Sequence, residues 1–152
     1  MITYKKASLD DIVAMQALVK PEVDKGIILY RSSDEMATNI RSYLLAFEET
    51  ELVGFGALHF HAPTLAEVRS LIVSERLRGQ KIGASIVKGL LEEAKMYGVK
   101  QVFTLTYQKV FFERLDFREI PKEDLPAHKI WADCIKCKYF PVCEEIALIY
   151  SL

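Results

Sequence analysis

Between residues 67 and 84 the chain runs Glu-Val-Arg-Ser-Leu-Ile-Val, then Ser-Glu-Arg-Leu, then Arg78-Gly-Gln-Lys-Ile-Gly83-Ala84, joining an apolar strand to the start of a helix. The small residues Gly79, Gly83 and Ala84 allow backbone N–H groups to approach a ligand closely, and the dipole of a helix that begins there favours negative charge. Arg76, Arg78 and Lys81 add cations, so the turn suits a pyrophosphate. Ordinary helix capping would need the same small residues, and the turn alone does not separate the two. The phosphate loop of nucleotide hydrolases requires Gly-Lys-Ser/Thr and the dinucleotide fingerprint requires three spaced glycines, and neither is present. A phosphate ligand of another kind is indicated.

A second set of residues has metal-binding types. His128, Cys134, Cys137 and Cys143 give three sulfurs and an imidazole with one Cys-x-x-Cys pair, as in structural zinc sites. A second close pair is missing. Reduced, buried thiols beside Trp131, Tyr139 and Phe140 are therefore favoured over structural zinc. Three cysteines also do not make a secreted disulfide framework. His59 and His61 share a strand face, and no role is assigned to them.

These residues need elements to hold them. A strand is expected at residues 2–5. Ser8 and Asp11 form a capping box for a helix whose apolar face is Ile12, Met15, Leu18 and Val19, with Pro21 as its stop. A loop through Gly26 leads to a second capping box, Ser32 with Glu35, and a helix to about Tyr43. Residues 44–49 and 52–61 read as a hairpin about Thr50 and Glu51, and residues 65–73 as the next strand of an antiparallel meander. Ile82, Ile86, Val87, Leu90, Leu91 and Ala94 recur at helical spacing, and Gly98 closes that helix. Residues 99–105, 110–115 and 117–120 read as strand, short helix and strand. Residues 121–142 read as a loop before a last strand at 146–150.

The chain has 152 residues, 51% of them hydrophobic, enough for one core and too few for two ordinary domains. A single domain over residues 1–152 is expected. The net charge of −1 supplies no overall field for nucleic acid or an anionic membrane, so any anion site must be local. No apolar run approaches the roughly 20 residues that span a bilayer, and the first residues lack a signal-peptide core, so a cytoplasmic location is expected.

Arg78-Gly-Gln-Lys-Ile-Gly83, with its preceding strand and following helix, resembles the Arg/Gln-x-x-Gly-x-Gly/Ala signature of the GNAT acetyltransferases. Phe111-Phe-Glu-Arg-Leu-Asp-Phe117 is similar to a Phe-Tyr-x-x-x-Gly-Phe segment of the same superfamily, and the likeness covers roughly residues 2–120. It implies an α/β fold of GNAT type, with a mixed, mostly antiparallel central sheet flanked by helices. The co-substrate implied is acetyl-CoA, held by Leu71, Ile72, Val73, Arg78, Gly79, Gln80, Lys81, Ile82, Gly83 and Ala84. Lys81 replaces a glycine of the signature, so the backbone there must avoid positive φ or accept strain.

The superfamily transfers acetyl directly from thioester to amine, with strand N–H groups near Leu71 to Val73 polarising the carbonyl. Glu67 is the candidate base for the acceptor ammonium; the alternative is a solvent-facing strand carboxylate. The tyrosine that often protonates the leaving thiolate would fall at Phe112, and Tyr107 is the nearest phenol in sequence. Gly26-Ile-Ile-Leu-Tyr-Arg31-Ser, Phe103-Thr-Leu-Thr-Tyr107 and the Phe-Phe-Glu-Arg segment together look like the acetyltransferase domain of bacterial N-acetylglutamate synthases. That likeness implies a small amino-acid acceptor, glutamate first, and a place in amino-acid and arginine biosynthesis. Arg31 and Arg69 are the guanidiniums able to hold its carboxylates in a bidentate fork. The alternatives are a solvated Arg31 beside a helix start, and Arg69 as a partner for Glu67. A polyamine or protein amine as acceptor, and a coenzyme-A-binding sensor without chemistry, are the competing readings. Neither nucleic acid nor membrane is expected as a partner, and homodimerisation is left open.

Overall fold

The structure is a computed structural model and describes residues 1–125 and 145–152. His128, Cys134, Cys137 and Cys143 lie outside the described residues, among which no group of three metal-ligating side chains converges. No helix among the described residues is long and apolar enough to cross a membrane.

Among the described residues seven strands form one sheet: β1 (Ile2–Lys6), β2 (Tyr43–Glu48), β3 (Glu51–Ala62), β4 (Leu65–Val73), β5 (Gln101–Thr106), β6 (Arg118–Ile120) and β7 (Ile146–Ser151). Among the described residues four α-helices accompany it: α1 (Ile12–Asp24), α2 (Ser33–Thr38), α3 (Ile82–Met96) and α4 (Lys109–Glu113). The strand order is β1-β2-β3-β4-β5-β7-β6, and β4 with β5 is the parallel pair in an otherwise antiparallel sheet. That parallel pair is the one joined through α3, as a crossover requires. β7 inserts between β5 and β6, so the strand expected at residues 117–120 sits at the sheet edge.

α3 covers one face. Its six periodic positions, Ile82, Ile86, Val87, Leu90, Leu91 and Ala94, are all buried, packed with Ala46, Val53, Leu58, Ala66 and Val68 of the strands. Each fully buried aliphatic side chain contributes about 1.5–3 kcal/mol, so this stripe docks the helix whose first turn forms the site. α1 and α2 cover the other face, where Ile12, Met15 and Met36 meet Tyr43, Leu45, Phe55 and Ile72.

Two boundaries differ from the sequence reading by more than two residues. Pro21 lies inside α1, which continues to Asp24. Proline removes its own N–H and restricts the residue before it, but its φ suits a helix, and a last turn closes with the Lys25 N–H donating to the Pro21 carbonyl at 3.2 Å. The helix capped by Ser32 ends at Thr38 instead of near Tyr43. Thr38 Oγ1 and the Asn39 side-chain amide both donate to carbonyls of the preceding turn, at 3.0 Å each, and Tyr43 is already extended as the first residue of β2. Burial of Tyr43 and Leu45 on one sheet face needs a period of two, which overrides the helical pattern.

Candidate active site

The site begins with a bulge. Ala57 of β3 faces Arg69 and Phe55 faces Ile72, so Ser70 and Leu71 together oppose Gly56. Ser70 takes φ +60°, as the extra residue of a bulge can. A Cβ at Gly56 would lie 3.0 Å from Ile86 and 3.3 Å from Leu71 and Leu90, so glycine is what lets the bulge and α3 approach here. The bulge also reverses the alternation of β4: Ala66 and Val68 pack toward α3 before it, whereas Leu71 and Val73 do so after it and Ile72 joins the opposite cluster.

Bending β4 opens the sheet. β4 and β5 pair only at Leu65–Gln101, Ala66–Val102 and Glu67–Phe103, after which they part. At the apex the buried Thr104 hydroxyl donates to the Val68 carbonyl at 2.8 Å, replacing the ladder with a side-chain bond. The Ser74 N–H donates to Val53 of β3 at 2.7 Å, so strand alternation turns the Ile72 N–H the same way and the Leu71 and Val73 N–H groups into the opening. The resulting cleft has a volume of about 1000 Å³.

At the other wall stands the start of α3. Gly79 has φ +88° and no atom within 4 Å of where its Cβ would be, so glycine is required there by backbone conformation alone. Lys81 accepts a left-handed conformation, φ +66°, ψ +14°, one of the two outcomes expected for a side chain at this point of the turn. The first helical residues Ile82, Gly83 and Ala84 have no carbonyl one turn earlier to bond and face the cleft with the dipole behind them. Arg78 donates from Nε to the Val73 carbonyl at 3.2 Å and approaches Glu22 of α1 at 3.4 Å, tying the turn to both walls.

The cleft lining gathers Arg31, Glu67, Arg69, Leu71, Ile72, Val73, Arg78, Gly79, Lys81, Ile82, Gly83, Ala84 and Tyr107. Two expected residues fall outside it. Gln80 does not line the cleft, and Arg76 lies away from it, bonded to Glu48 at 2.8 Å and Glu51 at 3.1 Å. Two unforeseen cations do line it, Lys88 on the next turns of α3 and Arg114 after α4. Arg31, Arg69, Arg78, Lys81, Lys88 and Arg114 thus face Glu22, Glu67 and Glu145, six positive against three negative, although the whole chain carries −1. Net composition hid this local field.

Glu67 is not a solvent-facing carboxylate. It is 1% exposed, at the point where β4 and β5 part, with Oε1 2.9 Å from Nε2 of His61. His61, to which the sequence reading gave no role, is thereby part of the site. The signal was the hairpin: His61 is the extra residue between the pairs Phe60–Ala66 and Ala62–Leu65, and that irregularity turns its ring back over Glu67.

Arg31 is not a solvated residue either. Its side chain is only 11% exposed and donates from Nη1 to Oε2 of Glu35 at 2.9 Å, with the Ser32 hydroxyl accepting the Glu35 N–H as the helix cap. Burial pushes the Tyr43 phenol up, against the pull of the Arg31 and Arg69 guanidiniums, so a neutral phenol stands beside both arginines. An adjoining cavity of about 240 Å³ shares Ile28, Leu29, Arg31 and Ser70 with the cleft. Phe112 is buried between Phe111 and Phe117 and also reaches the cleft wall, while Tyr107 stands partly exposed past the end of β5.

Comparison with known proteins accords with this geometry. A family model described as acetyltransferase (GNAT) family matches residues 12–117. An uncharacterized N-acetyltransferase of Chlorobaculum tepidum is 35% identical over 97% of this chain and 95% of its own length. The amino-acid acetyltransferase of Mycobacterium tuberculosis is 32% identical over 96% of this chain and 84% of its own. Among solved structures, N-acetylglutamate synthase from Neisseria gonorrhoeae, complexed with coenzyme A and N-acetyl-glutamate, superposes over the whole chain with a TM-score of 0.90 at 21% identity, which speaks for the fold. This chain spans 35% of the length of that synthase. On the family match over residues 12–117, and on its likeness to the Chlorobaculum and Mycobacterium proteins over nearly the whole of this chain, the chain belongs to the acetyltransferase (GNAT) family.

Proposed function

We propose that this protein is an amino-acid N-acetyltransferase that moves an acetyl group from acetyl-CoA to the α-amine of a small amino acid, glutamate being the first candidate. The observation that carries this reading is that Arg31 and Arg69 both line the cleft that opens between β4 and β5, with Arg31 also bordering the cavity that Tyr43 lines. A planar guanidinium matches a carboxylate in two parallel bonds, and a polyamine would be repelled from such a pair. The amino-acid acetyltransferase name of the Mycobacterium relative and the N-acetyl-glutamate held by the Neisseria synthase support it.

The cleft fits acetyl-CoA in parts. The N–H groups of Ile82, Gly83 and Ala84, with Lys81 and Arg78, receive the pyrophosphate at the positive end of α3. The pantetheine arm lies along β4 as an added strand, pairing with the N–H groups of Leu71 and Val73, one of which also polarises the thioester carbonyl. Glu67, at the fork, takes the proton from the acceptor ammonium directly or through water. The freed amine attacks the thioester and the C–S bond breaks. Tyr107 is the phenol assigned to protonate the leaving thiolate, and its phenolate takes back, directly or through water, the second proton that the acceptor nitrogen loses as the amide forms.

An assay of coenzyme A release against a panel of amino acids, polyamines and peptides tests the reading. Glutamate or a close relative should give the highest kcat/KM. A preference for spermidine or peptides over every amino acid would remove the acceptor assignment and leave the acetyl donor standing.

A further inference from the structure

Of the charged groups in the cleft, Glu67 is the most deeply buried, and an imidazole lies within hydrogen-bond distance of its Oε1. The two side chains are 2% and 3% exposed. The His61 ring is wedged between His59, two residues back on β3, at 4.8 Å between centroids, and the uncharged Phe103 of β5 at 5.2 Å. Glu67 lines the cleft and His61 does not. The imidazole therefore reaches substrate only through the carboxylate. A carboxylate this buried is driven toward its neutral form unless a donor stabilises the charge, and a neutral carboxyl is far too weak a base to take the acceptor's proton.

We propose that His61 is a positioning residue for proton removal: its Nε2–H donates to Oε1 of Glu67, keeping that carboxylate ionised and fixed in orientation at the fork of β4 and β5. In the step itself one N–H bond of the acceptor ammonium breaks and an O–H bond forms on Glu67. The nitrogen keeps the electron pair with which it attacks. The His61 proton stays on Nε2 throughout. This rests on the reading of Glu67 as the base in acetyl transfer.

The test has one readout that needs no turnover. In protein labelled with ¹³C at glutamate carboxyls, the Glu67 midpoint is followed by NMR in the wild type and in His61→Phe, which fills the space beside Phe103 and offers no donor. Loss of the donor should raise the midpoint by about one pH unit or more. In the acceptor assay the acid limb of the rate profile should move up by the same amount and kcat at pH values below the wild-type midpoint should fall roughly tenfold or more, with acetyl-CoA affinity unchanged. His61→Gln, which retains an N–H donor, should recover most of both. If His61→Phe does not fold, His61→Asn, too short to keep the bond, carries the same expectation. An unmoved Glu67 midpoint in either folded variant overturns the proposal, as does a rate loss from His61→Phe that persists in full in a Glu67→Gln background. A wild type that acetylates no acceptor would instead remove the functional reading, while the titration would still decide whether His61 holds Glu67 ionised.

Discussion

Arg31 lines both the cleft and the adjoining cavity, with Glu35 holding one arm of its guanidinium. Such a clamp fixes the planar fork before substrate arrives, which lowers the entropy lost on binding. Arg31→Ala should reduce kcat/KM toward glutamate by roughly 30- to 1,000-fold, the equivalent of about 2–4 kcal/mol for a charge-assisted pair in a partly closed site, while acetyl-CoA binding barely changes. Arg31→Lys should rescue poorly, since an ammonium keeps the charge and loses the fork. Steady-state kinetics with each substrate varied separately decides it. Loss of acetyl-CoA affinity in Arg31→Ala would place the residue on the donor side. A Tyr107→Phe change asks a separate question at this scale. If thiolate release uses that phenol, kcat should drop and the alkaline side of its pH profile should change; an unaltered profile would leave solvent as the acid.

At the scale of elements, the turn before α3 carries strain at one position. A non-glycine residue in the left-handed region costs about 1–2 kcal/mol, and Lys81 sits there at φ +66°. Lys81→Gly relieves that strain but gives the unfolded chain more freedom, which costs roughly 0.5–1 kcal/mol, so the net should be between zero and about 1.5 kcal/mol of added stability. Lys81→Val should instead lose about 1–2 kcal/mol, because a β-branched side chain tolerates that conformation worst. Denaturant melts of the two variants should move in opposite directions. The helix after this turn was legible in the sequence to the residue, because Ile82 to Ala94 repeat a helical stripe that nothing else in the fold contradicts. β4 was legible in extent, but its bulge was not: period-two reading assumes an unbroken ladder, and Ser70 gives no chemical sign that it takes φ +60°. The bulge turns two β4 N–H groups into the opening, so the site was read as a set of residues without the device that aims them. His61 escaped for the same reason, since its approach to Glu67 depends on a second irregularity in β3. The sequence reads as helical up to Tyr43 because a capping box announces a start and says little about where the helix stops.

Across the whole molecule, the sheet is two parts, β1 to β4 and β5 with β7 and β6, joined along three paired residues, the Thr104 to Val68 bond and the α3 crossover. A ligand lying in the cleft would touch both parts, so its binding energy acts on the weakest seam of the fold. Ligand that binds only the folded state stabilises it by about 2.7 kcal/mol at one hundred times Kd, which for a chain of this size is roughly 5–10 °C in Tm. Coenzyme A should therefore raise Tm by that amount at saturation, and amide exchange should slow most at residues 71–73 and 82–84, on the two walls. Gly83→Glu supplies the control. A Cβ at Gly83 would meet only ordinary contacts, Phe111 at 3.4 Å and Val73 at 3.5 Å, so the backbone itself accepts a side chain there. A glutamate in the first turn of α3 also suits the helix dipole. The variant should thus melt within a few degrees of the wild type when unliganded, yet show no rise with coenzyme A at millimolar concentration, because its carboxylate occupies the phosphate position and repels what remains outside. A full thermal shift in Gly83→Glu would mean that the ligand is held elsewhere than at the start of α3.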